Sequence, residues 1–303
     1  MTAMIRRRSG KSFDESGFIL VAVLWMVAAL ALLSSVYSRY VSSTVATSRI
    51  PDEHLRTEEA VRAAIELSAY QLLSAPRENR PTHGLVTAQV GKLSIAAHYR
   101  SEGARIDLNA ASKELLAGLF VAVGANDSSA ALYADRIVGW RKKAPPGGVN
   151  DEASIYRTAG MSYAPRQGPF SNPLELSLVL GIPPFLVDKV LPFVTIYNGK
   201  GDIDALDADP EVLAALPNMT PQILGAVLAQ RARLPDDGLA LRALLGPAGG
   251  LATAEGRNAY RALVSVALQD RRRIHADVVF LLLDEGDEPY RILYWRDDFD
   301  QPL

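Results

Sequence analysis

The chain has 303 residues, is 49% hydrophobic and carries a formal net charge of −2 at pH 7. That composition excludes a disordered chain and leaves material for one large or two modest domains, and its slight acidity argues against a protein held on nucleic acid by phosphate neutralisation. There is no cysteine, so disulfides, thiolate metal sites and cysteine nucleophiles are excluded.

The first element is the apolar run GFILVAVLWMVAALALL from Gly17 to Leu33, which no charge interrupts until Arg39. It offers about 20 residues, or roughly 30 Å of helix, enough to cross the hydrocarbon core of a bilayer. Arg6, Arg7, Arg8 and Lys11 precede it, whereas only Arg39 and Arg49 follow closely. The positive-inside rule then keeps the N-terminus cytoplasmic and exports everything after Arg39. The run reads as a removable secretory signal cut near Ser34–Ser38, as a permanent anchor, or as a more specialised signal in which Gly17 stands directly before Phe18. The leader segment RRRSGKS imitates the end of a phosphate-binding loop, but Ile5 occupies the position of its first glycine and no strand leads into it.

After the run, Asp52 to Leu73 reads as an amphipathic helix with Leu55, Val61, Ile65, Ser68 and Leu72 on its apolar side. Pro51 is expected to kink or briefly break a stem that would otherwise reach about 85 Å. Pro76 to Gly84 reads as a loop, and Leu85 to Tyr99 as two strand stretches around a Gly91-Lys92 turn. Ile274–Leu283 and Tyr290–Trp295 flank the acidic turn Asp284–Glu288 and read as a hairpin that completes the same sheet. Between them, Arg105 to Leu268 looks helical. The fold class expected is α+β: a long N-terminal transmembrane and stem helix, an antiparallel sheet, and a large all-helical domain inserted into it.

Two segments of that insertion look alike, IDLNAASKELLAGLF from Ile106 and IDALDADPEVLAALP from Ile203. Ser112 caps the helix in the first, and Asp209 with Pro210 opens it in the second. Both resemble the start of a helix-hairpin-helix unit. Neither hairpin supplies the Gly-x-Gly that would present amides to a phosphate, and Asp202, Asp204, Asp207, Asp209 and Glu211 crowd the second with negative charge.

Catalytic and metal chemistry is thin. His54, His83, His98 and His275 have no zinc-site spacing, and no nucleophile elbow or dinucleotide fingerprint occurs. Asp284 to Glu288 with Asp297, Asp298 and Asp300 could ligate calcium through carboxylate oxygens, but without EF-hand spacing, and a solvated turn and tail explain them as well.

The order of basic leader, Asp14-Glu15-Ser16-Gly17 and then Phe18 resembles the class III signal of type IV pilins and pseudopilins. That resemblance implies cleavage between Gly17 and Phe18 by the prepilin peptidase and N-methylation of Phe18. Most of that family has glutamate at the fifth mature position, where this chain has Ala22; the K-type minor pseudopilin of type II secretion lacks it. The stretch Ala144-Pro145-Pro146-Gly147-Gly148, Tyr156, Tyr163 and the phrase FSNPLELSLVLGIPPFLVDKVLPFVTIYN from Phe170 to Asn198 are also similar to the K-type middle domain. The resemblance implies a leader over 1–17, a transmembrane and stem helix over 18–74, sheet over 75–104, a helical domain over 105–268 and a closing hairpin over 269–303. It further implies a non-enzymatic inner-membrane protein at the tip of a periplasmic pseudopilus, without cofactor or nucleic acid. Its expected partners are the I, J and H types of minor pseudopilin, the major pseudopilin, the assembly platform and membrane lipid. The alternative is a membrane-anchored helix-hairpin-helix DNA-binding protein of the competence type.

Overall fold

The computed structural model describes residues 15–143, 152–234, 238–253, 258–268 and 272–298. The chain divides into two compact units, Met1–Arg56 and Thr57–Leu303. In chain order the elements are α1 (Glu15–Leu73), β1 (His83–Val90), β2 (Leu93–Ser101), β3 (Ile106–Asp107), α2 (Lys113–Ala122), α3 (Asp127–Arg141) and α4 (Glu152–Thr158). There follow α5 (Pro184–Val190), β4 (Val194–Thr195), β5 (Ile203–Asp204), α6 (Pro210–Ala214), α7 (Pro221–Arg233) and α8 (Gly238–Leu245). The last four are β6 (Ala252–Thr253), β7 (Ala259–Ala267), β8 (Arg273–Leu282) and β9 (Tyr290–Asp297).

The helical assignment of α1 passes through Pro51 without the expected break. From Thr57 onward one stripe of the helix is buried: Ala60, Val61, Ala64, Ile65, Ala69 and Leu72, with Thr57 and Ser68 among them. The Ser68 hydroxyl donates to the Ala64 carbonyl at 2.7 Å, so its polarity is satisfied inside the helix. Three alanines in the stripe keep the helix axis close to the sheet below it. Leu55, placed on the apolar side by its spacing, is instead 57% exposed.

The sheet is five-stranded and antiparallel, in the order β1-β2-β7-β8-β9. Strand alternation sends Ile95, Ala97, Tyr99, Tyr260, Ala262, Val264, Val266, Ala276, Val278, Phe280 and Leu282 into one core with the buried stripe of α1. Gly84 stands opposite Tyr99 in the β1–β2 register, and a methyl group at Gly84 would come within 2.3 Å of the Tyr99 hydroxyl. The ring covers the glycine's bare backbone.

β7 corrects the expected domain limits. The sequence places its nine residues in the helical insertion, yet Ala259–Ala267 is the central strand of the sheet. The insertion therefore leaves after β2 and returns before β7. It has a core of its own, built on Leu115, Leu116, Leu119, Phe120, Trp140, Tyr156, Leu186, Val190, Val212, Leu213, Leu241 and Leu245 among others.

The two similar segments are structurally equivalent. Ile106–Asp107 pairs in parallel with Val194–Thr195, and Ile203–Asp204 pairs in parallel with Ala252–Thr253. Asp107 Oδ1 accepts from the Asn109 amide at 2.7 Å, and Asp204 Oδ1 accepts from the Leu206 amide at 3.0 Å. Arg141 donates to the Ala111 carbonyl and Arg231 to the Ala208 carbonyl, each at 2.6 Å. Both guanidiniums sit half-buried, and burial lowers their pKa. Each hairpin turns through one left-handed residue, Gly124 (φ 104°) or Asn218 (φ 62°). Each then enters a helix whose cap, Asn126 or Thr220, accepts from the backbone three residues on.

The two copies meet where Gly118 of α2 touches Ala215, its own counterpart in the aligned segments. A methyl at Gly118 would lie 2.1 Å from the Ala215 carbonyl oxygen, a backbone atom that cannot swing aside. Gly118→Val is expected to destabilise the insertion by about 1–3 kcal/mol or more through overpacking. Thermal unfolding of the full chain in detergent, read as hydrogen exchange in α2 and α6, measures it; unchanged protection in both helices would contradict the close approach.

Candidate functional site

Two regions carry the features a function can use: the apolar N-terminal segment, and the joint between sheet and insertion. Leu20–Ser38 is a 19-residue span of mean hydropathy 2.3 with none of its length buried by the rest of the protein. Leu20, Leu24, Trp25, Met26, Leu32 and Leu33 are all exposed. Apolar side chains left uncovered over this length need lipid or other apolar helices as solvent. Gly17 and Phe18 lie in the first turns of α1; their side chains, and the basic leader ahead of Glu15, fall outside the described residues. Ala22 is exposed, on the same apolar cylinder.

At the joint, charge is buried. Glu102, in the turn that follows β2, is 1% exposed. It accepts from Arg261 Nε of β7 at 2.7 Å and from the Thr195 hydroxyl of β4. Arg105 lies 3.9 Å away. Arg261 also holds both oxygens of Asp277 on β8, at 3.0 and 2.8 Å, and its guanidinium stands 5.8 Å over the Tyr294 ring of β9. Burial alone would lower the Arg261 pKa, but Glu102 and Asp277 outweigh it and raise the value. Arg105, with the weaker partner, is lowered by burial. This network ties three strands to the insertion through β4. A second tie runs from Arg100 of β2 to the Asp207 carbonyl and to Asp209 at 3.0 Å, beside His83 Nδ1 and Asp207 Oδ1 at 2.8 Å. Lone charges inside otherwise apolar strand sequence, as Arg261 and Asp277 are, were the signal that could have marked the joint.

The quoted phrase from Phe170 to Asn198 forms a clamp within the insertion. Glu175 accepts from the Ser171 amide and hydroxyl, from Arg166 at 3.0 Å and from Trp140 Nε1 at 3.2 Å. Burial would raise the Glu175 pKa, but these donors outweigh it and lower the value. Tyr156 donates nothing to that carboxylate; its buried hydroxyl accepts from the Leu180 amide at 2.8 Å, and burial pushes its pKa up to about 12. Gly181 (φ 86°) makes the Gly-Ile turn. Tyr163 stacks edge-on to Tyr156. The proline- and glycine-rich stretch from Ala144 lies outside the described residues.

The acidic turn and tail are engaged by neighbours. Asp284 accepts from Arg80 and, at 3.1 Å, from Asn258, with Arg77 at 3.9 Å. Asp297 accepts from Trp295 Nε1 and Asp298 from the His275 amide; Asp300 is outside the described residues. Among the described residues no three or more His, Asp or Glu side chains converge as a metal cluster.

The fold is thus of the α+β class: a helix apolar and uncovered in its first part and packed on an antiparallel sheet in its last, with a helical domain set between two neighbouring strands. Residues 91–199 match the family model described as type II secretion system (T2SS), protein K, so over that segment the chain is similar to that family. The fold is similar to that of a chain in the solved GspK-GspI-GspJ complex from the enterotoxigenic Escherichia coli type 2 secretion system. The two share 14% identity at a TM-score of 0.60, over 82% of this chain and 98% of that one. No curated protein matches the chain.

Two outcomes are expected of the joint. Arg261→Ala leaves Glu102 and Asp277 buried without their shared cation, a loss of about 3–5 kcal/mol; chemical denaturation of the full chain in detergent measures it, and a change under 1 kcal/mol would refute the role. Asp284 has a folded pKa below its ordinary value because of Arg80. Its contribution is therefore full above the unfolded pKa of about 3.9 and disappears as pH falls through the folded one. Comparing the wild type with Asp284→Asn from pH 7 to pH 2, the stability gap should close only below about pH 4; a gap independent of pH would contradict the pairing.

Proposed function

We propose that the chain is cut between Gly17 and Phe18 by the prepilin peptidase, methylated at Phe18, held in the inner membrane by Leu20–Ser38, and assembled as the tip of the pseudopilus. The observation that carries this reading is the uncovered span of 19 residues placed directly behind a Gly-Phe junction and a basic leader. The charge asymmetry of Arg6, Arg7, Arg8 and Lys11 against Arg39 and Arg49 supports a cytoplasmic N-terminus and a periplasmic globular part.

Ala22 supports the tip position. A carboxylate at that place in an apolar helical bundle is tolerable only when paired, and the natural partner is the N-terminal amine of a neighbouring subunit. A subunit with alanine there has no such requirement to dock onto one already in place, and the helical insertion adds bulk against further stacking. The relative solved in complex with GspI and GspJ supports the I and J types as neighbours, with the H type, the major pseudopilin, the assembly platform and inner-membrane lipid as further contacts. We read the duplicated segments as helix-hairpin-helix-like units kept for packing. Their acids support this over DNA binding, because Asp207 and Asp209 are held by His83 and Arg100.

The exact mass of the N-terminal peptide, from membranes of cells with and without the prepilin peptidase, tests the reading. The expected result is a chain beginning at methylated Phe18 only when the peptidase is present. A Met1 start in both, or a cut beyond Leu33, would overturn it.

A further inference from the structure

The two edges of the sheet are treated differently. β1 pairs with β2 on one side, and no strand pairs with its other side among the described residues. An open edge is a row of unpaired N–H and C=O groups, and proteins usually guard it with charge, proline or a cover. β9, the opposite edge, carries Arg291, Arg296 and Asp297. Beside it, Arg62 of α1 stands 5.5 Å over the Trp295 ring and adds a further charge on the α1 face.

β1 has no such charge beyond His83 at its start, whose Nδ1 lies 2.8 Å from Asp207 Oδ1. His83–Val90 reads HGLVTAQV, without Asp, Glu, Lys, Arg or Pro. Its inward residues Val86, Ala88 and Val90 are only partly buried, whereas Ile95, Ala97 and Tyr99 on β2 are fully buried. On α1, Leu67 is 39% exposed. It lies about 140° round the helix from Arg62, on the flank turned away from β9. On the outward face, Leu85 and Leu263 are 49% and 58% exposed. They border a cleft of about 490 Å³ lined also by His83, His98, Arg100 and Arg261. Apolar surface on both faces thus stops short at the β1 edge.

We propose that β1 is a strand-addition site, filled by an extended segment of another polypeptide that is uncharged and apolar at alternate positions. Main-chain pairing along His83–Val90 would supply affinity, and the period of two would set alternate side chains over Val86, Ala88 and Leu67 on one face and beside Leu85 on the other. A charge in the segment would be desolvated opposite a strand that offers none in return. A second copy fits less well. Two β1 edges would meet along a line of about 27 Å, and a contact that narrow falls short of the roughly 1,200 Å² of a stable interface; an extended segment lays side chains over both faces.

The test uses the full chain in detergent and a capped heptapeptide of alternating threonine and valine as probe, with a threonine–lysine peptide as control. The variant Thr87→Lys puts a charge in the middle of the edge on its exposed side, and Leu293→Lys puts one on β9; near-UV circular dichroism confirms that both keep the native fold. The expected result is slowed amide exchange in β1 with the first peptide alone, binding at least about tenfold weaker to Thr87→Lys, and unchanged binding to Leu293→Lys. Absence of slowing in β1, or equal binding to Thr87→Lys and the wild type, would overturn the site. A dimer of the chain that forms without peptide and is abolished by Thr87→Lys would overturn the occupant, by showing the edge filled by a second copy.

Discussion

The pairing of β2 with β7 is the contact on which the rest of the globular part depends. These strands are far apart in sequence, yet their register runs unbroken from Ser94 opposite Ala267 to Ser101 opposite Tyr260. Everything between them is an excursion that starts and ends at one side of the sheet. The ends of such an excursion are already neighbours in the sheet, so its loop-closure entropy grows only slowly with its length. What it must supply is its own core, and it does: the apolar cluster around Leu116, Trp140 and Leu213 is separate from the cluster between α1 and the sheet.

Two separate cores need something to fix one against the other, and here it is charge. Glu102 leaves β2, Arg261 enters with β7, and Thr195 brings in the insertion. A buried ion pair contributes little net stability against an apolar alternative of the same volume, but a misaligned one is heavily penalised. That penalty selects one arrangement of insertion and sheet, which an apolar contact with many similar packings would not. The doubling of the insertion works in the same direction. Each copy brings an Asp that closes its own turn and an Arg that holds the carbonyl before its helix, and the copies lock where Gly118 admits the backbone at Ala215.

The outline of this fold was legible in the sequence because its signals are local. The Gly91-Lys92 turn between two alternating stretches, the hairpin around Asp284–Glu288 and the duplicated Ile-Asp segments each read correctly from a few residues. β7 did not, because AYRALVSVA follows a long run of Ala- and Leu-rich helices and one of its two partners, β2, lies far back in the chain. Leu55 was misplaced for a related reason: hydrophobicity made it part of the stripe, whereas the face that packs is chosen by close approach and is rich in alanine. The joint is not a motif: Arg261 and Asp277 stand out as lone charges in strand sequence, but with Glu102 they form a site only after β2, β7 and β8 are paired. The apolar span needed no tertiary information at all.

That difference separates the roles set inside the fold from the surfaces it leaves open. A residue whose role is set inside the fold, such as Glu175 or Arg261, has its hydrogen bonds answered by neighbours. The span does not: along Leu20–Ser38 no side chain finds a core, so the sequence keeps an apolar surface that the chain alone cannot bury, which only an outside solvent or neighbour makes stable. The β1 edge is the same imbalance in main-chain form, one row of ladder groups met by β2 and the other open. The charges at the joint are met within the chain, whereas the apolar span and the outer row of β1 are met by none of the described residues.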